Sequence, residues 1–167
     1  MAIVRPKSKV KLTSKSLNEL KGRLERANAY VTVGIHPGAG TYKDGEDVVM
    51  VGLINEFGTS KIPERSFLRS AVRDNAALID SWRVELLRKI ISGSMSVETA
   101  LEAMGVRVQI LIQNRIKSDI QPANAPSTVA QKLADGVAPR TLIHTGLLLR
   151  SISYQVHVGG GKVSSDE

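Results

Sequence analysis

The sequence has no cysteine among its 167 residues. This absence excludes a disulfide framework, a thiol nucleophile and a thiolate metal site, and it fits a cytosolic product. Aromatic residues make up only 4% of the chain, too few for a base-stacking platform of the kind used by single-strand-binding proteins. No apolar run approaches the roughly 20 residues that cross a bilayer, and the start, MAIVRPKSKVKL, lacks the apolar region of a signal peptide. We therefore expect a protein that is neither secreted nor membrane-spanning.

Positive charge outnumbers negative charge along the chain. The 23 lysines and arginines exceed the 16 acidic residues, which gives a formal net charge of +7, and several of the positive residues crowd into the first 26 positions. The candidates for contact with DNA or with an acidic partner are Lys7, Lys9, Lys11 and Lys15. A contact with nucleic acid would be non-specific and would weaken with salt. The alternative is that this charge only keeps the protein soluble.

A chain of this length corresponds to about one domain that can bury its own core. Residues 1–12 contain Pro6 and interspersed lysines and serines but no periodic apolar face, so we expect a basic flexible arm there. Residues 13–158 are expected to form a single α/β domain. The glycine run that opens 159–167 indicates a C-terminal tail or hairpin.

The first part of the domain is expected to form one helix and one strand. Ser16 and Glu19 form a capping box ahead of a short amphipathic helix. The apolar residues of this helix are Leu17, Leu20, Leu24 and Ala27. The β-branched run from Tyr30 to Ile35 predicts a strand. The charged, glycine-rich stretch 38–47 is either a flexible loop or the tip of a hairpin.

Two long helices are predicted in the middle of the chain. The first runs from about Ser66 to Ile91 and is closed by Gly93. The second begins after Ser96, which caps it, and is expected to pack antiparallel to the first. The expected seam of the second helix, charged at its last position, is Val97, Leu101, Met104, Val108, Leu111 and Arg115.

The remaining elements are short. After a breaker-rich linker at 121–126, we expect a helix at 127–134, a brief helical turn capped by Thr145 and a strand over 153–158. Residues 162–165 either pair with that strand as a hairpin or fray. Together these elements predict an α+β fold, with several helices, two of them long, packed against a small and mostly antiparallel sheet.

The stretch VGLINEFGTSKIPERSFLRSAV, which begins at Val51, joins two of these helices through a loop. Its apolar residues Val51, Ile54 and Phe57, with Val48 and Leu53 beside them, fall close to helical spacing. Gly58 follows, where a helix end favours a residue of positive φ. Pro63 then turns the backbone before helix resumes with Phe67 and Leu68. Glu56 and Arg65 carry opposite charges and are expected to pair across this corner.

No catalytic, cofactor or metal-binding constellation is visible in the sequence. His36, His144 and His157 show no metal-binding spacing. The run Gly159-Gly160-Gly161-Lys162 has Val163 where a phosphate loop needs serine or threonine. The acidic residues between 44 and 47 lack the spacing of a calcium loop. We therefore expect a protein that is not an enzyme and carries no cofactor.

Two motifs resemble a known family. N-E-F-G-T followed by I-P-x-R-x-F-L resembles the tail-completion and neck proteins of long-tailed bacteriophages, also described as virion-morphogenesis or minor tail-component proteins. The segment from His144 to Ile152 is similar to that family's D-T-G-x-L-R-x-S-I element, although His144 stands in the place of aspartate and Leu149 in the place of arginine. Glu64 and Ser66 also depart from the family pattern. The residues that carry the resemblance, all expected to be structural, are Glu56, Phe57, Gly58, Pro63, Arg65, Phe67, Leu68, Thr145, Gly146, Leu148, Ser151 and Ile152.

The resemblance implies a structural virion protein that forms a ring, most often of six copies, at the head-proximal end of the tail and helps join tail to head. It further implies as partners other copies of the chain and neighbouring tail-tube, tail-terminator or head-tail connector proteins, with genomic DNA in the lumen as a further candidate contact. Such a protein is located in the virion after assembly in the host cytoplasm. The alternative is a basic, non-catalytic accessory protein that binds nucleic acid.

Overall fold

The computed structural model describes residues 29–158 and the backbone of 161–163. Three strands form one antiparallel sheet in the order β1 (Tyr30–Ile35), β2 (Ile152–Val158) and β3 (Gly161–Val163). Strand β1 pairs with β2 from Tyr30 opposite His157 to Ile35 opposite Ile152. Both predicted strands are confirmed, although β2 begins one residue earlier than expected. Residues 161–163 pair with β2 as a hairpin, which was one of the two alternatives predicted for the C-terminal segment. The predicted N-terminal helix and the whole basic arm lie outside the described residues, as does the tail apart from 161–163.

Six helices occur within the described part of the chain, and with the sheet they confirm the α+β class. Their bounds are α1 (Val48–Phe57), α2 (Leu68–Asp74), α3 (Ala76–Ile91), α4 (Val97–Lys117), α5 (Pro126–Ala134) and α6 (Leu147–Arg150). Ser96 caps α4 as expected, because its hydroxyl accepts a hydrogen bond from the backbone N–H of Thr99 at 3.0 Å. Gly93 closes α3 with a φ of +73°. No helix within these ranges is both long and apolar enough to cross a membrane.

The prediction of one helix from Ser66 to Ile91 is wrong. The chain forms two helices, α2 and α3, which meet at Asn75 with φ −114° and ψ 18°. The Asn75 side-chain amide donates to the Ala71 carbonyl at 2.8 Å. An asparagine that competes in this way for a helical carbonyl favours a break. The apolar spacing continues across Asn75, so periodicity alone did not reveal the break.

The face of α1 that is buried is not the face that the apolar spacing predicted. The buried residues of α1 are Val48, Gly52 and Glu56, spaced four apart, whereas Leu53 and Phe57 are exposed. Glycine and glutamate do not register as apolar, so the sequence pattern indicated the wrong face. Asp47 caps the start of α1 by accepting from the Val49 N–H at 2.6 Å. The preceding stretch, 38–47, forms a hairpin, one of its two predicted alternatives, with a β-bridge between Thr41 and Asp47.

The core lies where α1, α2, α4, α6 and β2 meet. The buried cluster consists of Val48, Phe67, Ala71, Ile112, Ile116, Ile120, Leu148 and Ile152. Helix α4 contributes Ile112 and Ile116, which lie next to the predicted seam; the seam residues are only partly buried, and of these Val108 packs against the cluster. The seam side also holds α2 and α3: the Arg115 guanidinium donates to the Ser70 hydroxyl at 2.9 Å, and Arg107 pairs with Glu85 at 3.0 Å.

Helix α4 approaches the sheet closely at Gly105. A Cβ atom on Gly105 would lie 2.6 Å from Cδ2 and 2.7 Å from Cγ of the Tyr154 ring on β2. We expect Gly105→Ala to lower the free energy of unfolding by about 1–3 kcal/mol, because this overlap outweighs the helix propensity of alanine, worth about 1 kcal/mol. Chemical denaturation measures the change. Asn114→Ala, at an exposed position of α4, is the control and is expected to be neutral or to stabilise by no more than about 0.7 kcal/mol. A Gly105→Ala variant that is as stable as the wild type, or more stable, would contradict the close approach.

Candidate functional site

The carboxylate of Glu56 caps the N-terminus of α2 across the corner. Glu56 is 2% exposed, at the end of α1. Its Oε2 atom accepts from the backbone N–H groups of Phe67 at 2.7 Å and Leu68 at 2.8 Å. Its Oε1 atom accepts from the Arg69 N–H at 3.0 Å and from the Ser66 hydroxyl at 2.8 Å. The first free N–H groups of α2 therefore find their acceptor on another helix, in a place where the helix dipole favours negative charge.

Hydrogen bonding sets the charge state of Glu56. Burial raises the pKa of this carboxyl, but the N–H groups of Arg69 and Leu68, the Ser66 hydroxyl and the Arg69 guanidinium together hold the pKa below the ordinary value of 4.5. Glu56 is consequently ionised at neutral pH although its side chain is buried.

The predicted pairing of Glu56 with Arg65 is wrong. Glu56 pairs with Arg69, whose Nε lies 2.9 Å from Oε1. Arg65 points to another part of the chain, where its Nε donates to the Pro122 carbonyl at 2.7 Å and its Nη2 to the Ala123 carbonyl at 2.8 Å. Arg65 thus fastens the corner to the segment between α4 and α5.

Gly58 ends α1 as predicted, with a positive φ of 71°, but its ψ of 177° differs from that of a left-handed helical residue. A Cβ atom there would lie 2.8 Å from the Glu64 backbone nitrogen and 3.0 Å from the Ile62 carbonyl oxygen. The loop closes on itself because the Thr59 N–H donates to the same Ile62 carbonyl at 2.7 Å. Glycine is required here by backbone conformation and by space.

The two phenylalanines of the corner have different roles. Phe67 is fully buried in the core cluster, as expected for the apolar residue that opens the second helix. Phe57 is 57% exposed and lies beneath the Arg69 guanidinium, 4.4 Å from the ring centroid. Leu68 is partly buried against the cluster, and Pro63 is an exposed residue of the loop. Phe57 therefore belongs to the surface of the corner and not to its core.

The second motif forms α6 and the start of β2. Gly146, with φ +77°, occupies the N-cap position predicted for Thr145. The Thr145 hydroxyl still accepts from the Leu147 N–H, at 3.3 Å. Leu148 and Ile152 are buried in the core cluster, and the Ser151 hydroxyl donates to the Leu147 carbonyl at 2.8 Å. The motif therefore places one core side chain within a single helical turn and a second at the start of β2.

The two motifs meet in space although about 75 residues separate them. Phe67 of the first motif and Leu148 and Ile152 of the second belong to the same buried cluster. The loop that precedes the second motif is held by Asp119, whose Oδ1 accepts from the Thr141 N–H at 2.7 Å and from its hydroxyl at 2.9 Å. Phe67, Leu148 and Ile152 thus join the two motifs in one core, whereas Phe57 and Pro63 lie on the surface.

The histidines are engaged in local contacts. His36 lies 2.9 Å from the Ser153 hydroxyl, His157 stacks on the Tyr30 ring at a centroid distance of 4.5 Å, and His144 lies 2.9 Å from Asp135. Across residues 29–158, no group of three or more His, Asp or Glu side chains is placed to hold a metal ion. The lysine candidates at positions 7, 9, 11 and 15 lie outside the described residues.

Sequence reasoning missed the burial of three charged residues, Glu56, Arg65 and Lys132. The signal for Glu56 was its spacing of four and eight from Gly52 and Val48 on α1. Lys132 is 5% exposed, and its Nζ donates to the carbonyls of Arg140 and Ile143 at 2.6 and 2.7 Å. A lysine on a short polar helix gives no sequence signal of burial.

No protein-family model, curated protein or solved structure matches this chain.

Proposed function

We propose that the chain is a structural virion protein of a long-tailed bacteriophage. It acts as a ring-forming tail-completion or neck protein at the head-proximal end of the tail, and it helps join tail to head. One observation carries the proposal: the two motif segments share one buried cluster through Phe67, Leu148 and Ile152. Two short matches that pack together are a stronger reason to transfer the family's role than two matches in unrelated parts of a fold.

Exposed apolar side chains support an assembling role. On α3, Val84 and Leu87 are three residues apart and exposed, and on α4 Val106 and Ile110 are four apart and exposed. Each pair therefore lies on one face of its helix. Single exposed apolar residues are ordinary, but paired ones favour contact with another protein surface. A ring of identical subunits needs such heterologous contacts, and in this role the protein assembles in the host cytoplasm and remains in the virion.

The oligomeric state tests this proposal directly. We expect native mass spectrometry and light scattering of the purified protein to show one discrete closed oligomer, a hexamer. Ile110→Glu is expected to shift the population to monomer with an unchanged melting temperature, because it places a charge in the contact. Ala134→Glu, which adds the same charge at an exposed position of α5, should leave the oligomer intact.

Electron microscopy of virions tests the location, where copies of the chain are expected at the junction of head and tail. A protein that stays monomeric and retards duplex DNA at moderate salt would contradict the ring and support the basic nucleic-acid-binding alternative. Such binding should fall steeply as salt rises.

A further inference from the structure

A cleft of about 550 Å³ opens between the hairpin that precedes α1, the corner loop, and the segments on either side of α5. Its lining includes Tyr42, Asn55, Arg65, Thr128 and Lys132. The motif-bearing core lies beneath the cleft, since Leu148 also contributes to its wall. The cleft is thus lined partly by loops and partly by residues of α1 and α5.

Two buried cations line this cleft without a carboxylate partner. Arg65 is 7% exposed and Lys132 is 5% exposed. Each donates to two backbone carbonyls, and no carboxylate oxygen of residues 29–158 lies within 4.0 Å of either side chain. A guanidinium and an ammonium group each carry more N–H groups than the two used here. Donor capacity therefore remains on both cations.

The two cations act on each other. Burial lowers the pKa of Lys132, and the positive charge of Arg65 lowers it further, against a smaller opposite effect of Asp119. Asp119 is exposed, and its Oδ1 atom already accepts the two hydrogen bonds from Thr141. Like charges that are buried near each other are costly unless an opposite charge compensates them. The described residues supply this compensation only in part.

Further hydrogen-bond donors line the same cleft. Burial raises the pKa of the Tyr42 hydroxyl, so this group stays protonated and can donate. Thr128 adds a second hydroxyl. The acidic residues of the lining, Asp44 and Glu46, are exposed on the hairpin. The interior therefore combines the buried positive charge with the half-buried Tyr42 hydroxyl, and the exposed side chains of Thr128, Asp44 and Glu46 lie at the rim.

We propose that this cleft binds an oxyanion, a carboxylate or phosphate group, between Arg65 and Lys132. Such a group accepts several charge-assisted hydrogen bonds and neutralises both cations. The oxyanion is either a free small anion or an acidic side chain of a neighbouring protein copy, and the chemistry of recognition is the same. The free-anion reading does not depend on the proposed ring.

Binding of inorganic phosphate and of glutarate to the full chain tests the site. At constant ionic strength held with chloride, we expect saturable binding by calorimetry and a rise in melting temperature with at least one of the two anions. Lys132→Met should weaken this binding at least about tenfold, because it removes a charge-assisted donor. Lys117→Met, which removes the same charge at an exposed position outside the cleft, should change the affinity less than about twofold.

A second measurement needs no variant and covers the case in which Lys132→Met does not fold. In a titration of the wild-type protein followed by nuclear magnetic resonance, amide shifts should concentrate at 121–128 and 140–144. Shifts spread over the whole surface, equal losses in the two lysine variants, or no saturable binding by about 10 mM of either anion would overturn the proposal.

The effect of phosphate on the oligomer distinguishes the two possible sources of the oxyanion. If saturating phosphate leaves the particle size in native mass spectrometry unchanged, the ligand is a free anion. If phosphate splits an oligomer that chloride at the same ionic strength leaves intact, the occupant is an acidic side chain of a neighbouring copy. Both results support an oxyanion site. A monomeric protein that binds phosphate keeps the site and removes only the proposed ring.

Discussion

Glu56→Gln is expected to destabilise the protein by about 2–4 kcal/mol. The glutamine keeps the shape of the side chain, but one carboxylate oxygen is replaced by an NH₂ group. This group faces backbone N–H groups of α2 that now donate hydrogen bonds to the carboxylate, and it cannot accept those hydrogen bonds. The charge that complements the helix N-terminus and the Arg69 guanidinium is lost as well. Chemical denaturation of the purified variant measures the change.

Glu64→Gln is the matched control. Glu64 contacts the same guanidinium, with Oε1 2.9 Å from Arg69 Nη2, but both side chains are more than half exposed. Exposed ion pairs contribute little, so we expect a loss of no more than about 0.5 kcal/mol. Equal losses in the two variants would show that the Arg69 contact, and not the cap, gives Glu56 its effect.

The same cap makes stability depend on pH in the acid range. The pKa of Glu56 is lower in the folded protein than its ordinary value of 4.5. A depressed carboxyl pKa contributes stability that is fully present above the unfolded pKa and is lost as pH falls through the folded pKa. We therefore expect the wild-type protein to lose stability more steeply than Glu56→Gln below about pH 4.5. Parallel melting curves down to pH 2 would contradict an ionised cap.

Gly58→Val is expected to cost about 3–5 kcal/mol. A φ of 71° with a ψ of 177° is a backbone conformation that is essentially restricted to glycine, and strain of this kind costs about 1–3 kcal/mol. The added Cβ would also press on the backbone of Glu64 and Ile62, which cannot yield unless the corner moves. The midpoint of thermal or urea unfolding measures the loss.

Gly136→Val separates the cost of the backbone conformation from the cost of the close contact made by the added Cβ atom. Gly136 has the same φ of 71°, but a Cβ atom there meets nothing within 4 Å. We expect it to lose only the conformational part, about 1–2 kcal/mol. If the two valine variants lose equal stability, the contact of the added Cβ atom at position 58 with the backbone of Glu64 and Ile62 does not contribute to the loss.

Local sequence signals were sufficient to predict where several helices and one strand begin or end. Gly58 and Gly93 lie at helix ends with positive φ, Ser96 caps α4, and the β-branched run forms β1 at the predicted residues. Each of these features is decided by a residue and its immediate neighbours, so a sequence pattern can find it.

Features that depend on a distant partner could not be predicted in the same way. Glu56 and Arg65 are nine residues apart with opposite charges, yet each binds elsewhere, because the α2 N-terminus and the Pro122 carbonyl are better placed. Lys132 is buried only because the loop that carries Arg140 and Ile143 folds over it. Asn75 breaks a helix through one side-chain hydrogen bond that apolar periodicity does not record.

The pairing of β1 with β2 has a consequence for synthesis of the chain. Tyr30 pairs with His157 and Ile35 with Ile152, so the ladder joins residues more than a hundred positions apart, and within the described residues β1 has no other partner strand. A ribosome adds about 5–20 residues per second, so β1 is made on the order of ten seconds before β2. In that interval Val33 and Ile35, which later face the core, can associate with strands of other nascent chains. The danger of mispairing is therefore greatest while the protein is still being translated.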